Sequence, residues 1–514
     1  FREMALITKF WGLDLLAGFF GLILIVYLYV TRNFNYWTKR GVRQIPPVPF
    51  FGSFKEIILQ RKFPGHFFRD WYEEYRPLPY VGFYVLDKPF LLIRDPELVK
   101  SVLVKDANYF QDKHLTANPN DTLSAANVFL IKNPAWKYLR SKLTSVYTAG
   151  RLKKMFDLML DVCKDFDTFL ESQNLDGPGG VLEMKDVSAK FTTDLIATTA
   201  YGIKANSLNN PDAEFRKHGK RIFEFTTYRG YEFLAMFFAP QFVKPLNIQF
   251  FQKESTKFLR EALWGTLQER QKSGIKRPDL IDLLIELRKN QPEEEKKIFE
   301  FDGDNLVAQA AVFFTGGFET SSTVISFCLY ELATHPEVQD KVREEIQTAL
   351  QENNGKITYD MVVSGLPYMD AVISEVLRFY PPLPYLDREA SYDYKIPGSD
   401  VILEKGTPVL IPMLGFHFDE DYFPDPFRFN PDNFSEENKK ARKPGVYMPF
   451  GDGPHTCIGL RLGLIQAKLG IITMLSKYEI SPCKETLIPM RLNPKAVIVT
   501  PDGGVHLTVR KLVK

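Results

Sequence analysis

Apolar and polar positions divide the chain into stretches of different period. Trp11 to Val30, WGLDLLAGFFGLILIVYLYV, is nearly all apolar apart from Asp14. About 20 helical residues cross a bilayer core, so the run predicts a transmembrane helix, with Trp11 at one interface and Tyr27 and Tyr29 near the other. A cleaved signal peptide is the competing reading, but the run is long for one and no A-x-A site follows. Arg32, Lys39, Arg40 and Arg43 come after the run, while the lead sets Arg2 and Lys9 against Glu3 and Asp14. That asymmetry predicts a cytosolic remainder. Pro46, Pro47 and Pro49 in IPPVPFFG, Ile45 to Gly52, predict a stiff extended spacer. Residues 1–31 are therefore expected as an anchor, 32–52 as a basic and proline-rich hinge, and 53–514 as one large domain. The first methionine is Met4, so Phe1-Arg2-Glu3 are expected to precede the true start.

Strand-like runs occupy Tyr80 to Asp95, helical patterns dominate from about Asp95 to Phe379, and GGVHLTVRK near the end predicts a strand. The expected fold class is mainly α with a minor β sheet. Asp302 or Asp304 can cap a long helix that runs to about His335, where Pro336 ends it. Thirty residues would span about 45 Å, enough to cross a domain. Gly316 and Gly317 sit in its middle, each costing up to about 1 kcal/mol relative to Ala. Thr320 can turn its hydroxyl onto the carbonyl four residues back and bend the helix.

Composition changes the picture little. Of 514 residues, 45% are hydrophobic and 25% charged, with a net charge of +2. No global field argues for nucleic acid. Four cysteines (Cys163, Cys328, Cys457, Cys483) make no disulfide framework at this length. The 43 phenylalanines favour large apolar surfaces in a core, at a membrane or around apolar ligands.

Candidate chemistry concentrates at FGDGPHTCIG, Phe450 to Gly459. Apolar Ile458, Leu462, Ile465, Leu469 and Ile472 have helical spacing, which places Cys457 at a helix N-terminus where a thiolate is favoured. Gly451, Gly453 and Pro454 predict a tight turn. Gly459 leaves clearance, Phe450 can shield the sulfur, and His455 offers a polar head. A cysteine protease, a zinc site, a planar metal macrocycle and a plain buried cysteine all remain open on these residues.

FGDGPHTCIG resembles the haem loop of the cytochrome P-450 family, F-x-x-G-x-x-x-C-x-G, at Phe450, Gly453, Cys457 and Gly459. AWKYLR resembles the family's W-x-x-x-R (Trp136, Arg140), implying hydrogen bonds to a haem propionate. VFFTGGFETSS resembles [A/G]-G-x-[D/E]-T on the long central helix, implying that Thr320 holds an oxygen species and Glu319 helps to pass protons. SEVLRFYPPLPYLDREA resembles E-x-x-R, implying a buried Glu375–Arg378 pair, a propionate-binding Arg388, and Leu383 to Leu386 lining the cavity. FPDPFRFNPDNF resembles P-x-x-F-x-P-x-R-F, with Asn433 where the arginine belongs. Asn433 is therefore expected to hydrogen-bond in place of an ion pair, and Arg428 is a candidate to compensate. His455 also replaces the usual arginine.

The resemblance implies a cytochrome P-450 fold behind a membrane anchor in the endoplasmic reticulum, with heme b held by the Cys457 thiolate. It implies monooxygenation of lipophilic compounds, with electrons from NADPH through NADPH-cytochrome P-450 reductase, sometimes with cytochrome b5. The motif texture is nearest the insect and animal detoxification clan, so xenobiotics such as plant toxins or insecticides are expected substrates. A biosynthetic hormone or lipid enzyme is the alternative. Phe129, Val312, Phe313, Gly316, Leu383 and Ala496 to Val499 are candidate cavity residues. The aromatics at 223, 225, 233, 237, 238, 242 and 250 are expected as cavity roof and membrane-dipping patch, with a plain core as the competing view. Lys137, Lys142, Lys153, Lys154 and KKARK (Lys439 to Lys443) are expected to meet an acidic flavoprotein.

Overall fold

The computed structural model describes residues 10–513. The lead residues Arg2, Glu3 and Lys9 lie outside the described residues. The apolar run forms one helix, α1 (Trp11–Thr31), with no buried residue. The hinge expected over residues 32–52 packs against the domain. Trp37, Val42 and Ile45 are buried, the Ile45 N–H bonds the Gly82 carbonyl (2.8 Å), and Gly52 bridges to Val85. The cause is local fit: Gly82 has no Cβ, and one there would stand 2.3 Å from the Trp37 ring. The hinge is stapled to the sheet.

That sheet has four strands, β1 (Tyr80–Val85), β2 (Lys88–Ile93), β4 (Leu386–Glu389) and β5 (Pro408–Ile411), in the order β1-β2-β5-β4. Leu91 registers with Val409 in parallel, and Arg388 with Val409 antiparallel. A second, antiparallel sheet runs β3 (Gly180–Glu183), β7 (His506–Lys511), β6 (Tyr478–Pro482). Helices form the remainder of the framework: α2 (Ala135–Leu143), α3 (Met184–Ile196), α4 (Glu214–Ile222), α5 (Thr227–Phe238), α6 (Gly303–Thr334), α7 (Pro367–Phe379) and α8 (Leu460–Leu475) are those that matter below.

The long α6 is the axis. Its cap is Asp302, whose carboxylate accepts from the Gly303 N–H (2.8 Å). Asp304 instead pairs with Arg260 (2.8 Å). A new helix starts at Pro336, so proline sets the end of α6. α6 is apolar enough to cross a membrane but lies mostly inside the protein, packed on α3, α8 and a short helix, Thr122–Ala126. α8 is buried nearly all round rather than along one stripe, because α6 and the neighbouring helices enclose it.

The aromatics between Phe215 and Phe251 are mostly core. Phe225, Phe233, Phe237 and Phe238 are buried. They interlock with one another, Phe233 meeting Phe250 edge-on at 5.7 Å between centroids, so their rings satisfy each other rather than a bilayer. The surface of this region is made by Tyr228, Tyr231, Phe242 and Leu246.

Candidate active site

Between Leu306 and Ala333, every residue of α6 is buried except Val312, Gly316, Gly317 and Thr320. Positions 312, 316 and 320 are four apart and fall on one face. This strip is the helix's open side, in the middle of the molecule. A Cβ on Gly316 would meet nothing within 4 Å, whereas one on Gly317 would stand 2.5 Å from Ile196 on α3. The two glycines thus do different things: the first leaves clearance and the second permits close packing. The Thr320 hydroxyl donates to the Gly316 carbonyl (2.6 Å), and Thr192 donates to the Phe318 carbonyl (2.9 Å). Side-chain donors therefore take carbonyls from the helix ladder at this point.

Glu319 lies one position round, buried on the α3 side. Lys185 Nζ reaches its Oε1 at 2.9 Å and donates to Ser322 (2.7 Å) and Thr323 (3.0 Å). Sequence reasoning missed Lys185, for it is 134 residues away from Glu319.

The cysteine loop leads into α8, which packs on α6. Gly451 and Gly453 hold φ of 72° and 66°. A Cβ on Gly453 would overlap the Leu103 carbonyl at 1.9 Å, so only glycine fits. Asp452 accepts from the Gly453 N–H (2.7 Å), and the Cys457 N–H donates to the Phe450 carbonyl (2.8 Å). α8 then starts at Leu460 with Gly459 as its cap. Cys457 lies deep in the fold yet has an exposed side chain, so its free surface opens inward. Among the described residues beyond its chain neighbours, nothing lies within 4 Å of a Cβ built on Gly459. Burial pushes the Cys457 thiol up, against the pull of the Gly459 N–H, Arg140 and Lys113. The protein alone does not make the thiolate that helix position suggested; a bound metal cation would, since a coordinating thiol is deprotonated outright.

Beside the loop lies a set of cations. Arg140 NH2 donates to the Thr456 carbonyl (2.6 Å). Trp136 lies flat on His455, centroids 3.7 Å apart, and His455 Nε2 donates to the Gln111 carbonyl (2.9 Å). Burial, with Arg388, Lys113 and Arg140 nearby, holds the His455 imidazole down at about 2, so it is neutral. Arg388 is buried, and burial brings it down to about 10 against the pull of Asp387. Burial, with Arg388, Lys132 and Arg140 nearby, brings Lys113 down to about 7 against Asp387. Lys113 was not foreseen: it sits in a polar loop without a motif. Buried like charges of this kind call for anions. The donor set fits haem: a lone sulfur with an inward face, glycine clearance at Gly459 and Gly316, and cations suited to two propionates.

The structural pair is close. Arg378 Nε and NH2 donate to Glu375 at 2.8 and 2.7 Å, with both side chains fully buried. Asn433 Nδ2 donates to Glu375 Oε1 (3.1 Å), as does the Asn430 N–H (2.9 Å). Arg428 is exposed and contributes only its carbonyl, at 3.4 Å from Arg378.

The expected cavity residues divide. Phe129 and Leu383 are half-buried like Val312, and Lys113 Nζ stands 3.7 Å over the Phe129 ring. Phe313 is buried edge-on against Tyr147 (5.2 Å), which takes it off the open strip. Tyr385, Ala496, Val497 and Val499 are buried, leaving Leu386 and Ile498 with free surface. Of the expected docking lysines, Lys142 pairs with Glu295 (2.9 Å) and Lys153 with Asp360 (3.3 Å), while Lys137, Lys154, Lys440 and Lys443 are exposed.

The family model for cytochrome P450 matches residues 43–509. The chain is 45% identical over 505 residues to cytochrome P450 6k1 of Blattella germanica, covering 95% of each. It is 43% identical over 500 residues to probable cytochrome P450 6g2 of Drosophila melanogaster, covering 95% of this chain and 96% of that one. The protein belongs to the cytochrome P450 family and is a monooxygenase of the insect type. The family implies haem on a cysteine thiolate, a redox partner, dioxygen and a lipophilic substrate.

Proposed function

We propose that the protein inserts one oxygen atom of O2 into lipophilic foreign compounds such as plant toxins or insecticides. Electrons would come from NADPH through a membrane-bound reductase, with cytochrome b5 as a second donor, at the endoplasmic reticulum. The observation that carries this reading is the inward face of Cys457 together with the open strip Val312, Gly316, Thr320.

Cys457 would hold the iron, Arg140, Arg388 and Lys113 the propionates, and Trp136 and His455 the edge between them. Haem supplies dioxygen activation and oxidising power when bound. The chain supplies the surroundings. Val312, Gly316, Phe129 and Leu383 present apolar surface and exclude water, so a lipophile is held by burial rather than by charge. Thr320 Oγ1 donates its one proton to the Gly316 carbonyl, so towards the strip it can accept a proton on its free lone pair while passing its own on. Glu319, held by Lys185, lies one residue away on the α3 side as the candidate group to help pass protons. The α1 helix holds the domain at the membrane, where such compounds partition.

The test is expression with reductase, a reduced–carbon monoxide difference spectrum, then a panel of unrelated lipophiles. A thiolate-type band, lost in Cys457→Ser, and NADPH-dependent turnover of many panel members are expected. A well-folded protein without that band, or turnover of a single endogenous lipid only, overturns the haem assignment or the substrate assignment respectively.

A further inference from the structure

Glu375 has one cation in direct contact, Arg378, and an uncharged amide, Asn433, on its other side. A second guanidinium nevertheless arrives there from the KKARK run. Arg442 donates to the Asn433 carbonyl. Its guanidinium carbon stands 4.4 Å from the Phe434 ring centroid and 4.7 Å from that of Phe423. Arg378 stands 5.1 Å from the same Phe423 ring. Planar stacking of this sort holds a guanidinium where an ammonium would not stay. The rest of KKARK is exposed, whereas Arg442 is half-buried and within electrostatic reach of Glu375.

The place matters because three segments meet at it. The Tyr447 hydroxyl donates to the Ser374 carbonyl (2.9 Å), next to Glu375. His417 Nδ1 donates to the Arg378 carbonyl (3.0 Å), while its Nε2 accepts from the Met448 N–H (3.4 Å). Two residues beyond Met448, Phe450 receives the Cys457 N–H. The α7 pair is thus tied to the segment that enters the cysteine loop.

We propose that Arg442 supplies the positive charge that Asn433 lacks and so is a positioning residue for the loop that carries Cys457. This rests on the haem-thiolate reading above. Uncharged Asn433 alone would leave Glu375 short of a cation; Arg442 reaches the same pocket from nine residues further along the chain.

The test uses the full chain with four variants: Arg442→Met, Arg442→Lys, Asn433→Arg and the double variant Asn433→Arg/Arg442→Met. Haem per polypeptide, the thiolate fraction of the reduced–carbon monoxide spectrum and the thermal midpoint are read for each. Arg442→Met keeps the length without the charge and is expected to weaken haem retention on the order of ten-fold, the scale of a lost outer-shell partner. Arg442→Lys is expected to recover part of it, and the double variant most of it, by returning the charge from position 433. Asn433→Arg alone, with two like charges in one pocket, is expected to gain nothing. Wild-type retention in Arg442→Met overturns the proposal. So does a double variant no better than Arg442→Met, including the case where both fail to fold. A wild-type protein without a thiolate spectrum would instead sink the haem reading itself.

Discussion

Lys185 Nζ lies 2.9 Å from Glu319 Oε1, joining α3 to the middle of α6 at a point where both side chains are almost wholly buried. A buried pair is costly to break from one side, because the remaining charge has lost its counter-charge away from water. Lys185→Met should therefore destabilise the protein by about 3 kcal/mol, and Glu319→Gln by less, since Lys185 keeps Ser322 and Thr323 as acceptors. The double variant should cost clearly less than the sum of the two. Urea midpoints of all four proteins give the coupling directly; additive losses would mean that the two groups do not sense each other.

Glu331, further along α6, is buried with the Tyr380 hydroxyl on its Oε1 (2.7 Å). Burial, with Glu375 adding to it, pushes its carboxyl up to about 7, against Tyr380, His335 and Arg378, which favour the charged form. The folded value lies above the unfolded value of 4.5. Its contribution is thus fully present below that value and is lost as pH rises through about 7. Glu331→Gln removes the ionisation and keeps an acceptor for Tyr380. Relative to wild type, the variant should gain stability between pH 5 and pH 8, by up to about 3 kcal/mol. Denaturant midpoints of both proteins across that range check it; parallel curves would refute it.

Phe242 and Leu246, with 40% and 64% of their surface exposed, lie beyond the interlocked aromatics of α5. Pro240 to Phe242 share a cleft of about 680 Å³ with Tyr29 and Val30 at the end of α1 and with Phe50. An apolar surface beside the apolar, unburied α1 is expected to rest on lipid. A protein lacking residues 1–31 should still sediment with vesicles, and Phe242→Glu/Leu246→Glu in that background should release it several-fold. Vesicle flotation reads both.

The elements that could be read from the chain are those whose signal is local. The Cys457 loop takes positive φ at Gly451 and Gly453 within a single turn, and the Thr320 hydroxyl finds Gly316 within its own helix. The strands at Tyr80 and His506 and the proline end of α6 are local in the same sense. Lys185, Lys113 and Arg442 gave no such signal: each is an ordinary cation in its own segment and acquires a role from neighbours far along the chain. The docking of the hinge was illegible for the same reason, as Trp37 packs on the missing side chain of Gly82. Phe313 illustrates the limit of helical spacing, since it sits beside Val312 yet is turned away onto Tyr147.

The adjacent glycines of α6 give a sharper distinction. Glycine costs a helix up to about 1 kcal/mol relative to alanine, so both positions would gain from substitution on propensity alone. At Gly317 the added methyl would meet Ile196 at 2.5 Å, inside the α3–α6 packing. That overpacking costs about 1–3 kcal/mol and outweighs the gain. At Gly316 the methyl would meet nothing within 4 Å. Gly316→Ala should thus keep or raise the thermal midpoint, while Gly317→Ala lowers it. The added methyl of Gly316→Ala would stand on the open strip next to Val312 and Thr320, so it should change which lipophiles bind and their affinities while stability holds. Thermal midpoints and ligand-induced spectral titrations on the two variants separate the positions. Equal destabilisation by both would mean that Gly316 is a packing residue and that the strip is not open.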